Sequence, residues 1–311
     1  MSTLTSRPRV TLRLDRRVDE SFPALGTTVR LIAGGPAAAT AARRARADIL
    51  DYHQRLSRFL PDSELVALNA DPRSVVPASA LLRSAVSAGL WAASISGGLV
   101  DPCLLDALEA AGYDRSREPA AVIRRPEGRF RTAQPNPASP WRRVRVDDDA
   151  GTITRPPGLR LDLGGTGKGH VADLVARHFD RCDDWVVDSG GDVLVGGARP
   201  VQIAHPLRAV PAAELDVRDC AVATSSVVSR TWRRNDGRSC HHLLDPSTGE
   251  PVRTGLLSAT AVAPTTLHAE TLAKVALLSG APTARGALAA FGGVLVHDDG
   301  AVETIAAGTR S

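Results

Sequence analysis

The chain has 311 residues, 43% of them hydrophobic, with a net charge of +4, which suffices for one large domain or two closely packed lobes with a real core. Aromatics make up only 4% and the basic residues are scattered, an arrangement that argues against nucleic acid as a partner. Cys103, Cys182, Cys220 and Cys240 stand far apart without C-x-x-C pairing, which argues against a zinc ribbon and against a disulfide scaffold.

In chain order, residues 1–20 read as a basic tail and 21–311 as a single domain. The opening MSTLTSRPRVTLRLDRRVDE has no apolar core, and the longest uncharged run, 84–100, is broken by serines and glycines. Neither a secretory leader nor a bilayer span is expected, so the sequence reads as cytoplasmic, without membrane insertion. GTTVRLIAG (26–34) alternates as a strand. Residues 37–59 have helical composition with Ile49, Leu50, His53 and Leu56 on one side. Asp62 or Ser63 offers an N-cap for the segment that follows. A second helix is expected over 78–95, ending at Gly97-Gly98, and a third after Asp101-Pro102. Residues 114–142, rich in proline and arginine without a sustained period, read as an exposed loop or insertion.

From 143 onward strands dominate, at 143–147, 152–155, 159–163, 185–188, 192–197, 201–204, 220–224, 241–244, 258–263 and 293–297. Helices fall at 169–181, 265–279 and 282–291. Hairpin-length connections with occasional helices predict an α+β fold, with mixed or antiparallel sheets and flanking helices.

Arginine supplies nearly all the positive charge: of 38 basic residues only Lys168 and Lys274 are lysine. A compact ammonium on a flexible stem differs from a planar guanidinium, so the places where lysine survives carry information. Lys168 lies in LDLGGTGKGHVAD (161–173), which has three readings. A Walker A loop fails at two positions, because Asp162 stands at the first glycine and Gly169 follows Gly167-Lys168. Gly167, Gly169 and Ala172 imitate a Rossmann fingerprint with Asp188 ending a later strand, but no run of βα units precedes them. A glycine-permitted tight turn into a helix is the plain structural reading. A pyrophosphate site uses the most residues: glycines allowing close approach, a helix N-terminus and the Lys168 ammonium. Asp162 would repel phosphate and instead suits a hydrogen-bond donor such as a flavin or adenine edge, or a metal shell.

Read together, FPALGTTVRL (22–31), LSRFLPDSELVALN (56–69), GGLVDPCLLDAL (97–108), LDLGGTGKGHVAD (161–173), VVDSGGDVLVGG (186–197), ATSS (223–226), HHLLDPSTGEPV (241–252) and ATAVAPTTLHAETLAKVALLSG (259–280) resemble, in order, the ApbE-type FAD:protein FMN transferases. The resemblance implies a two-lobed fold and transfer of FMN from FAD to a threonine or serine of an acceptor protein, with release of AMP and a need for Mg2+. It implies FAD contacts at Leu25, Phe59, Leu99, Val100, Asp101, Asp162, Lys168 and Leu244, with His242 at the family's usual histidine. It also implies a metal site from the Gly165 carbonyl and the helix near residue 270. There the chain departs from the family, with Glu270 and Lys274 where aspartate and threonine are usual.

Glu270 and Lys274 stand at i and i+4, so a helix-surface ion pair is one reading. The other places the Lys274 ammonium at or beside the metal position, held by Glu270. Glu270 and Lys168 are the expected catalytic residues, with Glu270 or the metal shell as base. His241 and His242 are adjacent on a strand, so at most one faces a site. Trp185 and Trp232 can stack on a ring or pack in the core. Two alternatives to transfer are an FAD-binding protein without activity and an FAD pyrophosphatase giving FMN and AMP.

Overall fold

The computed structural model describes residues 17–116, 130–234, 237 and 239–308; residues 1–16 of the expected tail and 117–129 of the expected insertion lie outside them. The strands are β1 (Val18–Ala24), β2 (Thr27–Ala33), β3 (Val75–Pro77), β4 (Arg145–Asp147), β5 (Thr152–Thr154), β6 (Trp185–Ser189), β7 (Asp192–Ala204), β8 (Pro211–Ser226), β9 (Thr231–Arg233), β10 (Ser239–His241), β11 (Leu256–Ala263), β12 (Gly293–His297) and β13 (Val302–Ile305). The helices are α1 (Ala38–Leu56), α2 (Glu64–Ala70), α3 (Ala80–Ile95), α4 (Leu105–Ala110), α5 (Gly167–Ala176), α6 (Thr266–Ser279) and α7 (Ala281–Leu288).

Eight strands form one antiparallel sheet in the order β1-β2-β6-β7-β8-β11-β12-β13. A three-stranded sheet, β3-β5-β4, and the hairpin β9-β10 complete the strand content among the described residues. This is the α+β class that the sequence predicts. On β2 the buried positions Val29, Leu31 and Ala33 alternate with more exposed ones, as a strand with one covered face requires. β11 is buried along nearly its whole length, which explains its apolar and small-residue run. The main core gathers α1, α3 and α5 over β2 and β6, and a second core packs α6 and α7 on β11 and β12.

The β1–β2 turn consists of Leu25 and Gly26, with φ of 57° and 66° between the paired Ala24 and Thr27. A two-residue hairpin of this type, I′, needs left-handed backbone at both central positions, so Leu25 is held in a conformation that leucine rarely adopts. Ser63 caps α2 by accepting from the Val66 amide at 3.2 Å, which settles the choice between Ser63 and Asp62.

Several expected boundaries differ. Residues 159–163 are not a strand: the Asn69 side chain donates to the Leu161 carbonyl and accepts from its amide, both at 2.8 Å, taking the place of a neighbouring strand. The helix expected after Asp101-Pro102 starts only at Leu105, because Asp101 Oδ1 turns back onto the Cys103 amide at 2.8 Å. Strand β10 ends at His241, and Leu244 keeps only an isolated bridge to Pro251. The three short strands expected over 192–224 are the long hairpin β7–β8. Residues 130–142 are mostly exposed, as expected, but anchored at buried points: the Ala133 amide donates to the Leu278 carbonyl at 2.9 Å, and the Gln134 amide to Asp245 Oδ1 at 3.0 Å.

Candidate functional site

Helices α5 and α6 meet at Gly169. A β-carbon there would lie 2.8 Å from the Leu267 backbone and from the Thr266 carbonyl, so only glycine lets the two helices approach this closely. Asp173 on α5 accepts from the Thr266 and Leu267 amides at 2.7 and 2.9 Å and fixes the start of α6. Gly169 therefore serves helix packing, which corrects the expectation that it admits a ligand.

The crossing drives Glu270 into the first turn of α5. Glu270 is 1% exposed; its Oε2 accepts from the Gly169 amide at 2.9 Å and its Oε1 from Lys274 Nζ at 3.0 Å. The helix-surface reading of this pair is thereby overturned: both partners are buried. A carboxylate at a helix N-terminus meets the positive end of the helix dipole, so Glu270 takes a donor that the sequence assigned to pyrophosphate.

Lys168 leaves the same turn and bonds Asp192 at the start of β7, which is 1% exposed. The chain's two lysines thus flank one glutamate. Burial alone would lower the Lys168 pKa, but Asp192 and Glu270 outweigh it and the pKa is raised. Burial, reinforced by Asp192, holds the Glu270 carboxyl above its usual range against the pull of Lys274, Lys168 and the Gly169 amide. Asp192 Oδ1 is buried without a hydrogen-bond partner among the described residues. Lys168 is therefore tied to a carboxylate and is not the freely mobile cation expected.

Beneath this cluster, Tyr52 on α1 hydrogen-bonds His170 Nδ1 at 3.2 Å, and Ser84 on α3 hydrogen-bonds His170 Nε2 at 3.0 Å. Burial lowers the His170 pKa to about 4, so the ring is neutral near pH 7. Tyr52 also lies against Gly167, where an added β-carbon would sit 3.5 Å from its hydroxyl. Three helices are locked together below the glycine loop.

A second group of residues adjoins the first. Arg58 bonds Asp162 Oδ2 at 2.6 Å, while Asp162 Oδ1 accepts from the Gly164 amide at 2.8 Å. Both Asp162 oxygens thus have a partner within the protein, so the carboxylate expected at a flavin or adenine edge is also a structural brace of the loop. The Arg58 guanidinium lies 4.1 Å from the Phe59 ring centre and 4.7 Å from that of Tyr113. Tyr113 stacks on Trp232 with centroids 5.2 Å apart, and Leu244 packs in the same apolar group. Trp232 is a packing residue whose indole N–H donates to the Ala111 carbonyl at 2.8 Å.

His242 joins the two groups. Its ring lies 6.4 Å from Tyr113, and burial together with the charges of Arg230, Lys274 and Lys168 holds its pKa well below the usual value. Its Nδ1 is buried without a partner among the described residues. His241, the last residue of β10, points elsewhere, bonding the Val252 carbonyl at 2.9 Å.

The remaining expected residues border these groups. Asp101 is buried beside the Asp162 loop, with the Asp162 amide donating to the Pro102 carbonyl at 2.8 Å, and its Oδ2 has no partner among the described residues. Val100 is buried and Leu99 half-buried against the second core. The Leu25 amide donates to His53 Nδ1 at 3.3 Å. A methyl group added at Gly165 would lie 3.8 Å from Lys274 Cε, which places the Lys274 stem beside the glycine expected to hold metal. Arg58, Tyr113, Asp192 and Arg230 were not singled out from the sequence. Arg58 and Asp192 lie inside motif blocks, and their pairing with Asp162 and Lys168 is visible only in three dimensions.

The residues expected to bind Mg2+ do not fit it. Both Glu270 oxygens already accept hydrogen bonds, and a protonated lysine has no lone pair to offer a metal. Among the described residues no group of three or more His, Cys, Asp or Glu side chains is arranged to hold a metal ion. No helix among them is long and apolar enough to cross a membrane.

A family model described as the ApbE family matches residues 25–295. An FAD:protein FMN transferase of Treponema pallidum is 29% identical over 268 residues, which cover 77% of this chain and 71% of the relative. The same-named protein of Salmonella typhimurium is 26% identical over 238 residues, covering 69% and 64%. Among solved structures, an ApbE protein from Thermotoga maritima superposes with a TM-score of 0.77 at 23% identity, covering 93% of this chain and 97% of that one. The flavinyl transferase ApbE of Pseudomonas stutzeri follows at 0.73 and 20% identity, covering 95% and 98%. At those identities the two structures speak for the fold.

Proposed function

Because this chain belongs to the ApbE family, matched along residues 25–295, we propose that it is a flavin transferase that moves FMN from FAD to a hydroxyl of an acceptor protein. The single observation that carries this reading is the buried charge cluster of Lys168, Asp192, Glu270 and Lys274, set beside His242 at the edge of the glycine loop. No packing need explains two lysines and two acids drawn into one interior site, since buried ion pairs are weak sources of stability.

In the proposed reaction the acceptor hydroxyl oxygen forms a bond to the FMN-side phosphorus, and the bond to the bridging oxygen breaks, so that AMP leaves with that oxygen. Catalysis is mainly positioning and charge stabilisation. Lys168 and Arg230 supply positive charge toward the pyrophosphate, with Asp192 orienting Lys168. Glu270 holds Lys274 and the first turn of α5, and both its oxygens are engaged. That leaves His242, neutral and with an unpartnered Nδ1, to accept the hydroxyl proton. The Phe59, Tyr113 and Leu244 wall provides the apolar surface for the flavin, and Leu25, Leu99 and Val100 are the further contacts that the resemblance implies.

The resemblance also implies Mg2+ at Gly165, Glu270 and Lys274. The side chains present do not fit that ion, and no step is routed through it. Incubating the protein with FAD and an acceptor carrying a threonine or serine tests the reading. Covalent flavin on the acceptor with matching AMP is the expected result. Free FMN with AMP marks a pyrophosphatase, and unchanged FAD marks a binding protein.

A further inference from the structure

We propose that this protein carries a built-in cation: the Lys274 ammonium, held by Glu270 beside Gly165, takes the place of the divalent ion, so that its handling of FAD needs no Mg2+. The inference rests on the transferase reading above for what the cation serves, but its central measurement is FAD binding, which does not depend on transfer.

Three observations converge. First, Lys274 is in position: its Nζ lies 3.0 Å from Glu270 Oε1, and its Cε lies 3.8 Å from where a methyl group on Gly165 would stand. Second, each oxygen of the carboxylate already holds a donor. Glu270 Oε2 is held by the Gly169 amide at 2.9 Å, so a metal would have to displace a helix-capping bond on one oxygen and an ammonium on the other. Third, the lysine is exceptional in this chain. Only two of its 38 basic residues are lysine, and both border Glu270.

An ammonium suits this position better than a guanidinium, being compact, and its three donors can be shared between a carboxylate and other oxygens. One Nζ donor goes to Glu270, and no second partner is present among the described residues. The free donors are available to a backbone carbonyl or a phosphate oxygen. A magnesium ion in the same place would demand near-octahedral oxygen ligands at close to 2 Å, and of the cluster's four carboxylate oxygens only Asp192 Oδ1 is without a partner among the described residues.

The test measures FAD affinity by quenching of flavin fluorescence, on full-length protein after exhaustive chelation and again with Mg2+ added. Wild type should bind FAD equally well in both, and elemental analysis should find no stoichiometric divalent ion. Lys274→Thr should lose about tenfold in affinity under chelation and regain it with Mg2+. Wild type that loses FAD on chelation and recovers it with Mg2+, or that carries one equivalent of a divalent ion, overturns the proposal. The wild-type arms decide the matter even if Lys274→Thr does not fold. Metal-independent FAD binding without covalent flavin on any acceptor leaves the cation standing and removes the transfer reading.

Discussion

Two acid–base pairs on consecutive helices show what burial does to the same chemistry. Glu270 and Lys274 lie within α6 with side chains 1% and 11% exposed; Arg285 on α7 meets Glu303 on β13 with side chains 51% and 28% exposed. The Arg285 pair has good two-bond geometry, at 2.5 and 2.9 Å, yet it is solvated and screened. The Glu270 pair has a single bond but sits in a low-dielectric interior together with Lys168 and Asp192. There each charge depends on its partners, and four such groups in one place signal a site rather than a stabilising device.

The sharpest way to break this comparison is to remove one buried member. Glu270→Ala leaves the buried Lys274 ammonium without its carboxylate and should cost about 3–5 kcal/mol in denaturant unfolding. A cost below about 1 kcal/mol would mean that the cluster is as dispensable as a surface pair.

Acid titration probes the buried side next. Burial lowers the pKa of His170 and His241 to about 4 in the folded protein, against an ordinary 6.5 in the unfolded chain. The unfolded state takes up their protons first, so stability present above pH 6.5 is lost as pH falls from 6.5 toward 4, by about 3 kcal/mol for each ring. His170→Gln should flatten the slope of stability against pH in that window; an unchanged slope would show that the ring is not held neutral.

The helix crossing that creates the cluster can be tested through Gly169. A β-carbon there meets backbone at 2.8 Å, which cannot swing away, so Gly169→Ala should destabilise by about 1–3 kcal/mol and disturb the Glu270–Gly169 bond. At the bottom of the scale, Arg285→Ala should leave the thermal midpoint unchanged. A clear drop would contradict the contrast between the two pairs.

Much of this was legible in the sequence where local pattern dominates. The strand alternation of β2, the Ser63 cap and the α+β class follow from periodicity and capping chemistry, and the ordered motif blocks pointed to the family. What was not legible depended on long-range contacts. Residues 159–163 alternate like a strand, but Asn69, some 92 positions away, supplies the pairing that a strand would need. Residues 130–142 have the composition of a loop, yet backbone bonds to Leu278 and Asp245 bury part of them.

The site shows the same division. Lys168, Glu270 and Lys274 were singled out correctly as neighbours, because rarity and i,i+4 spacing are sequence properties. That Lys168 pairs with Asp192, and Asp162 with Arg58, follows from where β7 and the α1–α2 connection arrive in space. Motif spacing alone left both charges looking free for a ligand. The glycines misled in a related way: Gly169 is required by a helix crossing, and no local signal separates that demand from a phosphate loop.

The central claim is that the buried cluster serves flavin transfer. Its most direct test follows AMP release and covalent flavin together in wild type and in Glu270→Gln, with folding of both checked by circular dichroism. One AMP should appear per flavin attached in wild type, and both rates should fall by about a hundredfold in a folded Glu270→Gln. A folded Glu270→Gln protein that transfers flavin at the wild-type rate would contradict the account.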